Sequence, residues 1–195
     1  MLVEDHELFR TGLRSLLHHD GIPVVGEAAD GEAAVDVIES HEPDVVVMDI
    51  GLPGRSGIAA AREARRRSPG SRILMLSISE REEDIVAALA AGACGYLLKD
   101  SAVEEITDAI RSAARGEATL SQRIAARLLA HLRAGQTEQG PAPELVRPNE
   151  RELELLELLA SSGDKRAAAE RLGVTPEAVG EQLAEALRRL MPPAD

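Results

Sequence analysis

The sequence predicts an α/β protein: a doubly wound, five-stranded parallel sheet followed by a small all-α unit. Three observations carry this. Val45 to Met48 form an unbroken apolar run that stops at Asp49 and runs into Gly51, Pro53, Gly54 and Gly57. That is the pattern of a strand covered on both faces and closed by a loop. Short apolar runs of this kind alternate with segments of helical spacing through the first 118 residues, as βαβ units require. The last third of the chain contains helical spacing only.

Taken in order, Leu2-Val3 is a fragment of strand ending in Glu4-Asp5-His6, and Glu7 to His19 has helical spacing. Pro23 to Glu27 reads as a second strand, and 31–40 as a helix with Ala34, Val37 and Ile38 inward. After the Asp49 strand come a helix over 58–68, a strand over 71–77, a helix over 82–91 and a strand over 94–98. Ser101 with Glu104 has the spacing of a capping box opening a helix to Arg115. Further on, 121–133 is a helix, and 134–147, rich in Gly, Pro and polar residues, is a linker. Asn149 with Glu152 caps a helix to Ser161, Gly163 stops it, and Asp164 caps a second helix to Leu172. Gly173 turns the chain, and Thr175-Pro176 opens a third helix to Leu190. Two helices joined by a Gly turn have a helix-turn-helix outline, which a generic helical bundle shares.

The strand ends supply chemistry. Glu4, Asp5, Asp49, Ser77 and Lys99 each fall at or just past the carboxyl end of a predicted strand, and a parallel sheet gathers those ends along one edge, where open α/β sheets bind ligands. Three converging carboxylates repel one another unless a cation joins them, and hard oxygen donors suit Mg²⁺. Lys99 would then neutralise an anionic group beside the metal and Ser77 would hydrogen-bond it. Phosphoryl transfer to Asp49 is the reaction such a set fits.

The ordered segments VEDH, VVVMDIGLPG, LMLS and GYLLKD resemble the receiver domain of two-component response regulators over residues 1–118. The resemblance implies the flavodoxin-like receiver fold, with Asp49 as phosphoacceptor. It further implies Mg²⁺ bound by Asp5 and Asp49, with Glu4 assisting and the Gly51 carbonyl completing the protein ligands. Ser77 and Tyr96 resemble the hydroxyl and aromatic switch positions, and Lys99 the phosphate-contacting lysine. The chain departs from the pattern in having few apolar residues ahead of VEDH, and in Asp100 where many receivers have proline, a variant common in the NarL/FixJ branch. A face spanning residues 82–115 is the family's usual site of phosphorylation-dependent homodimerisation.

Residues 147–190 resemble the LuxR-type output domain of NarL/FixJ regulators, giving a division into receiver (1–118), linker helix and linker (119–147) and helix-turn-helix unit (148–195). Gly180 stands where the recognition helix usually carries a phosphate-contacting lysine, and Gln182 where it usually has histidine. The family's fourth, subunit-pairing helix is expected to be lacking, because Met191 to Asp195 end the sequence. Residues 144–195 hold 7 basic and 11 acidic side chains, net −4. Of the candidate DNA contacts, Thr175, Gln182, Arg188 and Arg189, only the last two are cationic, against Glu177, Glu181 and Glu185. Phosphate neutralisation supplies most non-specific DNA affinity, so DNA binding is expected to be weak or lost.

Bulk properties agree with such a protein. The 195 residues suffice for one ordinary domain and a small second one. A net charge of −12 opposes loose attraction to nucleic acid or anionic membranes. The single cysteine, Cys94, excludes a disulfide framework and a Cys-based zinc site. No apolar run approaches the ~18 residues of a membrane span, no signal peptide is expected, and the chain reads as cytoplasmic. The expected partners are a sensor histidine kinase and, through 82–115, a second copy. The expected role is a phosphorelay response regulator, not an enzyme, acting on transcription through the helix-turn-helix; the alternative is a phosphorylation-dependent protein-interaction output. A haloacid-dehalogenase-like phosphatase would want a second Asp two residues after Asp49, where Gly51 stands.

Overall fold

A computed structural model of the protein describes residues 1–134, 146–162 and 165–190. Its elements run β1 (Leu2–Val3), α1 (Glu7–His19), β2 (Glu27–Ala28), α2 (Gly31–His41), β3 (Val45–Met48), α3 (Gly57–Arg67), β4 (Arg72–Ser77), α4 (Glu82–Ala90), β5 (Gly95–Leu98), α5 (Val103–Ala114), β6 (Thr119–Leu120) and α6 (Gln122–Ala134). Helices α7 (Glu150–Ser162), α8 (Lys165–Leu172) and α9 (Pro176–Leu190) follow. The sheet is parallel throughout, in the order β2-β1-β3-β4-β5-β6.

The apolar runs explain why helices cover both faces. Val3, Val46, Met48, Ile73, Met75, Tyr96 and Leu98 point to one side, among residues of α2, α3 and α4. Leu2, Val45, Val47, Leu74, Leu76 and Leu97 point to the other, against α1 and α5. The alternation of side chains along a strand thus divides each run between two cores.

Three elements differ from the sequence reading. The sheet has six strands, not five: Thr119–Leu120 pairs with Gly95-Tyr96 beyond β5. Two residues are too few for any period, and β6 is held by its surroundings, with the Thr119 and Ser121 amides donating to the Cys94 and Tyr96 carbonyls. Strand β2 is Glu27–Ala28 and leaves out Pro23 to Gly26, because β1 offers only Leu2 and Val3 to pair with. The Ser101–Glu104 capping box does not form. The Ser101 amide is turned back to the Leu98 carbonyl, and α5 starts behind Ala102 with no side-chain cap. The second box does form: Asn149 Oδ1 accepts from the Glu152 amide at 2.9 Å and Glu152 Oε2 from the Asn149 amide at 2.8 Å. Gly163, Asp164, Met191 to Asp195 and most of the 134–147 linker lie outside the described residues.

The core on the α4 side of the sheet continues without a break into the C-terminal helices. It runs from Tyr96 and Leu98 through Ala118, Leu120, Ile124, Leu128, Leu129 and Leu132 to Leu155, Leu156, Val179, Leu183 and Leu190. Helix α6 is the bridge, packed between α4 and α7. Four buried Ile and Leu side chains of α6, each contributing about 1.5–3 kcal/mol, outweigh its surface ion pairs at about 0–1 kcal/mol each. Apolar packing therefore fixes α6 across α4.

Candidate functional site

In the sheet, β1 lies between β2 and β3, so the chain leaves β1 to one side and returns on the other, making a topological switch point at the carboxyl ends of β1 and β3. Glu4-Asp5 follow β1 and Asp49 follows β3. The Asp49 amide donates to the Val3 carbonyl at 2.9 Å, extending the ladder and drawing the two acidic ends together. Gly57 lets the loop after Asp49 close: its amide donates to the Ile50 carbonyl at 3.0 Å, and a Cβ there would run into the Asp49 carbonyl.

Asp49 and Glu4 are buried carboxylates joined by one ammonium. Lys99 Nζ lies 2.9 Å from Asp49 Oδ2 and 2.7 Å from Glu4 Oε2. The Phe9 ring covers it, with Nζ 5.0 Å from the ring centroid, a cation–π contact. Burial pulls the Lys99 pKa down, but hydrogen bonds to Glu4 and Asp49 outweigh it, and the net shift is upward. Asp49 Oδ1 accepts from the Ile50 amide at 2.7 Å. His6 closes the other side, with Nδ1 2.9 Å from Asp5 Oδ1 and 3.1 Å from Glu4 Oε1.

Glu4, Asp5 and His6 place ligand atoms within 4.8 Å of one another. The carboxylate oxygens in this group suit a hard divalent cation, and with Asp49 they give three negative charges against the single Lys99 ammonium. Asp49 does not fall in that group, since its Oδ2 is turned to Lys99. Gly51 lies on the loop beside it, its Cα hydrogen side facing Asp49 Oδ2, for which a Cβ would be 3.5 Å away.

Ser77 ends β4 next to this pair, and its carbonyl accepts the Lys99 amide at 3.0 Å. Tyr96 is fully buried, and its hydroxyl donates to the Ser79 carbonyl at 2.9 Å. Burial pushes its pKa up to about 12, against a hydrogen bond with Ser77. The ring thus ties the loop after Ser77 to β5.

Sequence reasoning missed the next layer. Arg123, at the start of α6, reaches both loops that border the site. Its Nη1 donates to Glu80 Oε1 at 2.9 Å and its Nη2 to Asp100 Oδ2 at 2.5 Å. The signal was present in Asp100, a carboxylate beside Lys99 where many receivers have proline. His131 adds a contact between α6 and α4, 3.4 Å from Glu82 Oε2.

The four candidate DNA contacts lie at the start of α9 and along it. Thr175 caps α9, its Oγ1 accepting from the Ala178 amide at 3.2 Å. Gln182 is half-buried and Arg188 is exposed. Arg189 is committed to the fold: its Nε donates to Glu152 Oε1 at 2.5 Å, its Nη2 to Glu152 Oε2 and, at 3.1 Å, to the Arg147 carbonyl. Glu177, Glu181 and Glu185 occupy the exposed stripe of α9. Gly180 is buried against the sheet side, where its carbonyl accepts the Ala118 amide at 3.0 Å. A Cβ on Gly180 would meet Glu117 Cβ and Oε2 at 2.8 Å. Glu117 itself is buried, between Arg115 Nε at 2.5 Å and Lys165 Nζ at 2.7 Å.

Residues 1–111 match the sequence profile of the response regulator receiver domain. The nitrate/nitrite response regulator protein NarL of Escherichia coli (strain K12) is 36% identical over 191 residues, covering 97% of this chain and 88% of the relative. The transcriptional regulatory protein LiaR of Bacillus subtilis (strain 168) is 34% identical over 191 residues, covering 97% and 89%. Among solved structures, the response regulator ChrA of a heme-sensing two-component system is 36% identical with a TM-score of 0.57, over 95% of this chain and 86% of that one. The receiver domain of NarL from Mycobacterium tuberculosis is 40% identical with a TM-score of 0.57, over 59% and 94%.

Proposed function

The chain belongs to the response regulators of two-component signal transduction, of the NarL type that controls transcription, and on that premise we propose that Asp49 is its phosphoacceptor and that a sensor histidine kinase is the donor. The observation that carries the assignment is the Asp49–Lys99–Glu4 arrangement at the switch point of the sheet. An Asp49 carboxylate oxygen attacks the phosphorus of a phosphohistidine. The P–N bond breaks as the O–P bond forms, and the imidazole leaves with a proton from solvent. Lys99 holds the carboxylate oriented and then follows the negative charge onto the phosphoryl oxygens, while Ser77 donates to one of them. Glu4 and Asp5, with Asp49 and the Gly51 carbonyl, are the groups that would hold Mg²⁺, which when bound supplies charge neutralisation at the entering phosphoryl group.

The signal leaves through two loops. Drawing Ser77 toward the phosphoryl group moves the 78–81 segment, to which Tyr96 and Glu80 are tied, and Lys99 carries Asp100 with it. Arg123 is bonded to both, so α6 senses the change and loosens from α4. The 82–115 face, covered by α6 along α4, then becomes available for pairing with a second copy. Of the two outputs, the acidic stripe of α9 and the commitment of Arg189 to Glu152 favour a C-terminal unit (148–195) that acts through protein contacts with weak or no DNA binding. Among the described residues no helix is long and apolar enough to cross a membrane, and a cytoplasmic site of action follows from the proposed kinase and phosphoryl chemistry.

Intact-mass measurement after incubation with Mg²⁺ and acetyl phosphate tests the acceptor. Wild type should gain one phosphoryl group and Asp49→Asn none. Equal labelling of the two proteins would refute Asp49 as acceptor.

A further inference from the structure

At the opposite, amino-terminal edge of the sheet lies a second cleft of about 240 Å³, between the end of α3, the start of β4, the α4–β5 turn and the outer end of α9. Three arginines line it: Arg65 from α3, Arg72 at the first position of β4 and Arg188 from α9. None of their guanidinium groups has an ion-pair or hydrogen-bond partner among the described residues, although acidic side chains outnumber basic ones 34 to 22 in this chain. Among the described residues no Asp or Glu lines the cleft.

Two of the arginines lie against glycine backbone of the lining. Arg65 lies over the Gly92 backbone, in the space a side chain there would fill, and Arg72 Nη2 is 3.5 Å from the same position on Gly116. Cys94 is also part of the lining; burial pushes its thiol up to about 11, and Arg72 and Arg65 are the charges pulling the other way. Leu89, Ala93, Ala118, Ala184 and Leu187 make the remaining wall apolar.

We propose that this cleft is a binding site for a small phosphate-bearing molecule, clamped by Arg65 and Arg72 from the sheet domain and by Arg188 from α9. Unpaired guanidinium forks match phosphate oxygens bidentately. The volume, below the ~300–1,000 Å³ of sites for drug-sized ligands, suits pyrophosphate or a small phosphorylated metabolite. A nucleic-acid backbone is disfavoured, because it would have to run along α9 past Glu181 and Glu185, both exposed. The site is remote from Asp49 and needs neither phosphorylation nor Mg²⁺. Its ligand joins the sheet domain to α9 directly, so occupancy holds the C-terminal helices in place.

The test uses full-length Asp49→Asn protein without divalent metal, so that the phosphoacceptor site takes no part, and titrates pyrophosphate by calorimetry at constant ionic strength. Saturable one-to-one binding is expected. Arg72→Ala and Arg188→Ala should each weaken it about tenfold or more, while Arg62→Ala, at an exposed arginine of α3 outside the cleft, should leave it unchanged. Hydrogen exchange should slow in α9 on saturation and return to the free rate in Arg188→Ala. No saturable binding, binding equally weakened by Arg62→Ala, or binding without protection of α9 would each overturn the proposal. A loss of thermal stability in Arg65→Ala and Arg72→Ala, with no pyrophosphate binding by the parent, would likewise overturn it and assign these side chains to the adjacent ends of α4 and α5.

Discussion

Lys99 does two things that make its replacement informative. It neutralises two buried carboxylates at once, and on the proposed function it would contact the phosphoryl group carried by Asp49. Lys99→Ala leaves Glu4 and Asp49 facing each other without a cation, and the fold should weaken by roughly 3 kcal/mol, the low end for breaking a buried pair. A divalent cation offers the lost charge back. Thermal melts should therefore show a larger Mg²⁺-induced rise in Lys99→Ala than in wild type, and an equal rise in both would remove Lys99 from the acidic centre. That Asp49, Lys99 and Glu4 belong together was legible in the sequence, since each ends an apolar run and a parallel sheet aligns such ends. The partners that tune them were not. Phe9 over Lys99, His6 beside Asp5 and Arg123 on Asp100 depend on where α1 and α6 are carried, and no local period encodes that.

At the level of elements, α9 is the clearest case of a residue whose meaning changes with its setting. Read along the chain, Gly180 is a helix position that has lost a lysine and costs ~1 kcal/mol relative to alanine. In the fold, it is the point where α9 meets the backbone of Ala118 and the side chain of Glu117. Alanine there would gain the helix propensity and lose the close approach. Overpacking of this kind costs about 1–3 kcal/mol, and Glu117 Cβ, close to the main chain, has little room to yield. Gly180→Ala should therefore be net destabilising by denaturant unfolding, and lysine at 180 more so. A stabilised Gly180→Ala protein would mean that α9 does not rest on Glu117 in solution. The same contrast runs through the helix starts. Asn149 and Glu152 cap α7 reciprocally because Arg189 holds Glu152 in place, whereas Ser101, at the same spacing from Glu104, gives its amide to Leu98 and caps nothing. Strand β6 was illegible for a related reason: two residues acquire a partner only once β5 and α9 flank them.

Across the whole molecule, the C-terminal helices are held by two carboxylates whose titration sets a pH limit. Burial raises the Glu117 pKa, but Arg115 and Lys165 more than offset it, and the carboxyl lies below its ordinary 4.5. Glu152 is likewise held down, with Arg189 and the Asn149 amide outweighing burial. A lowered folded-state pKa gives stability that is present above the unfolded value and lost as pH falls through the folded one. Hydrogen exchange in α8 and α9 should thus accelerate as pH drops below about 4.5, once corrected for the intrinsic rate, and Glu117→Gln should flatten that dependence; an unchanged profile would exclude Glu117 as the acid-sensitive contact. The same arrangement bears on DNA. The chain carries −12 overall, α9 presents Glu177, Glu181 and Glu185 to solvent, and Arg189 is occupied by Glu152. Arg188 alone of the α9 arginines is unpaired among the described residues, near the end of the helix remote from where base-reading side chains lie. Specific binding rests on several phosphate contacts, each adding close to one unit to the salt slope. The phosphorylated protein should consequently give no sequence-specific gel shift at physiological salt. Replacing Glu177, Glu181 and Glu185 with lysine should produce salt-sensitive, non-specific binding whose slope grows by about one per lysine. Gly180→Lys should add nothing to it while α9 stays docked, because position 180 faces Glu117 and not solvent. Nanomolar, sequence-selective binding by the unmodified protein at that salt would refute the protein-contact reading and require α9 to leave Ala118 and Glu117 when it engages DNA.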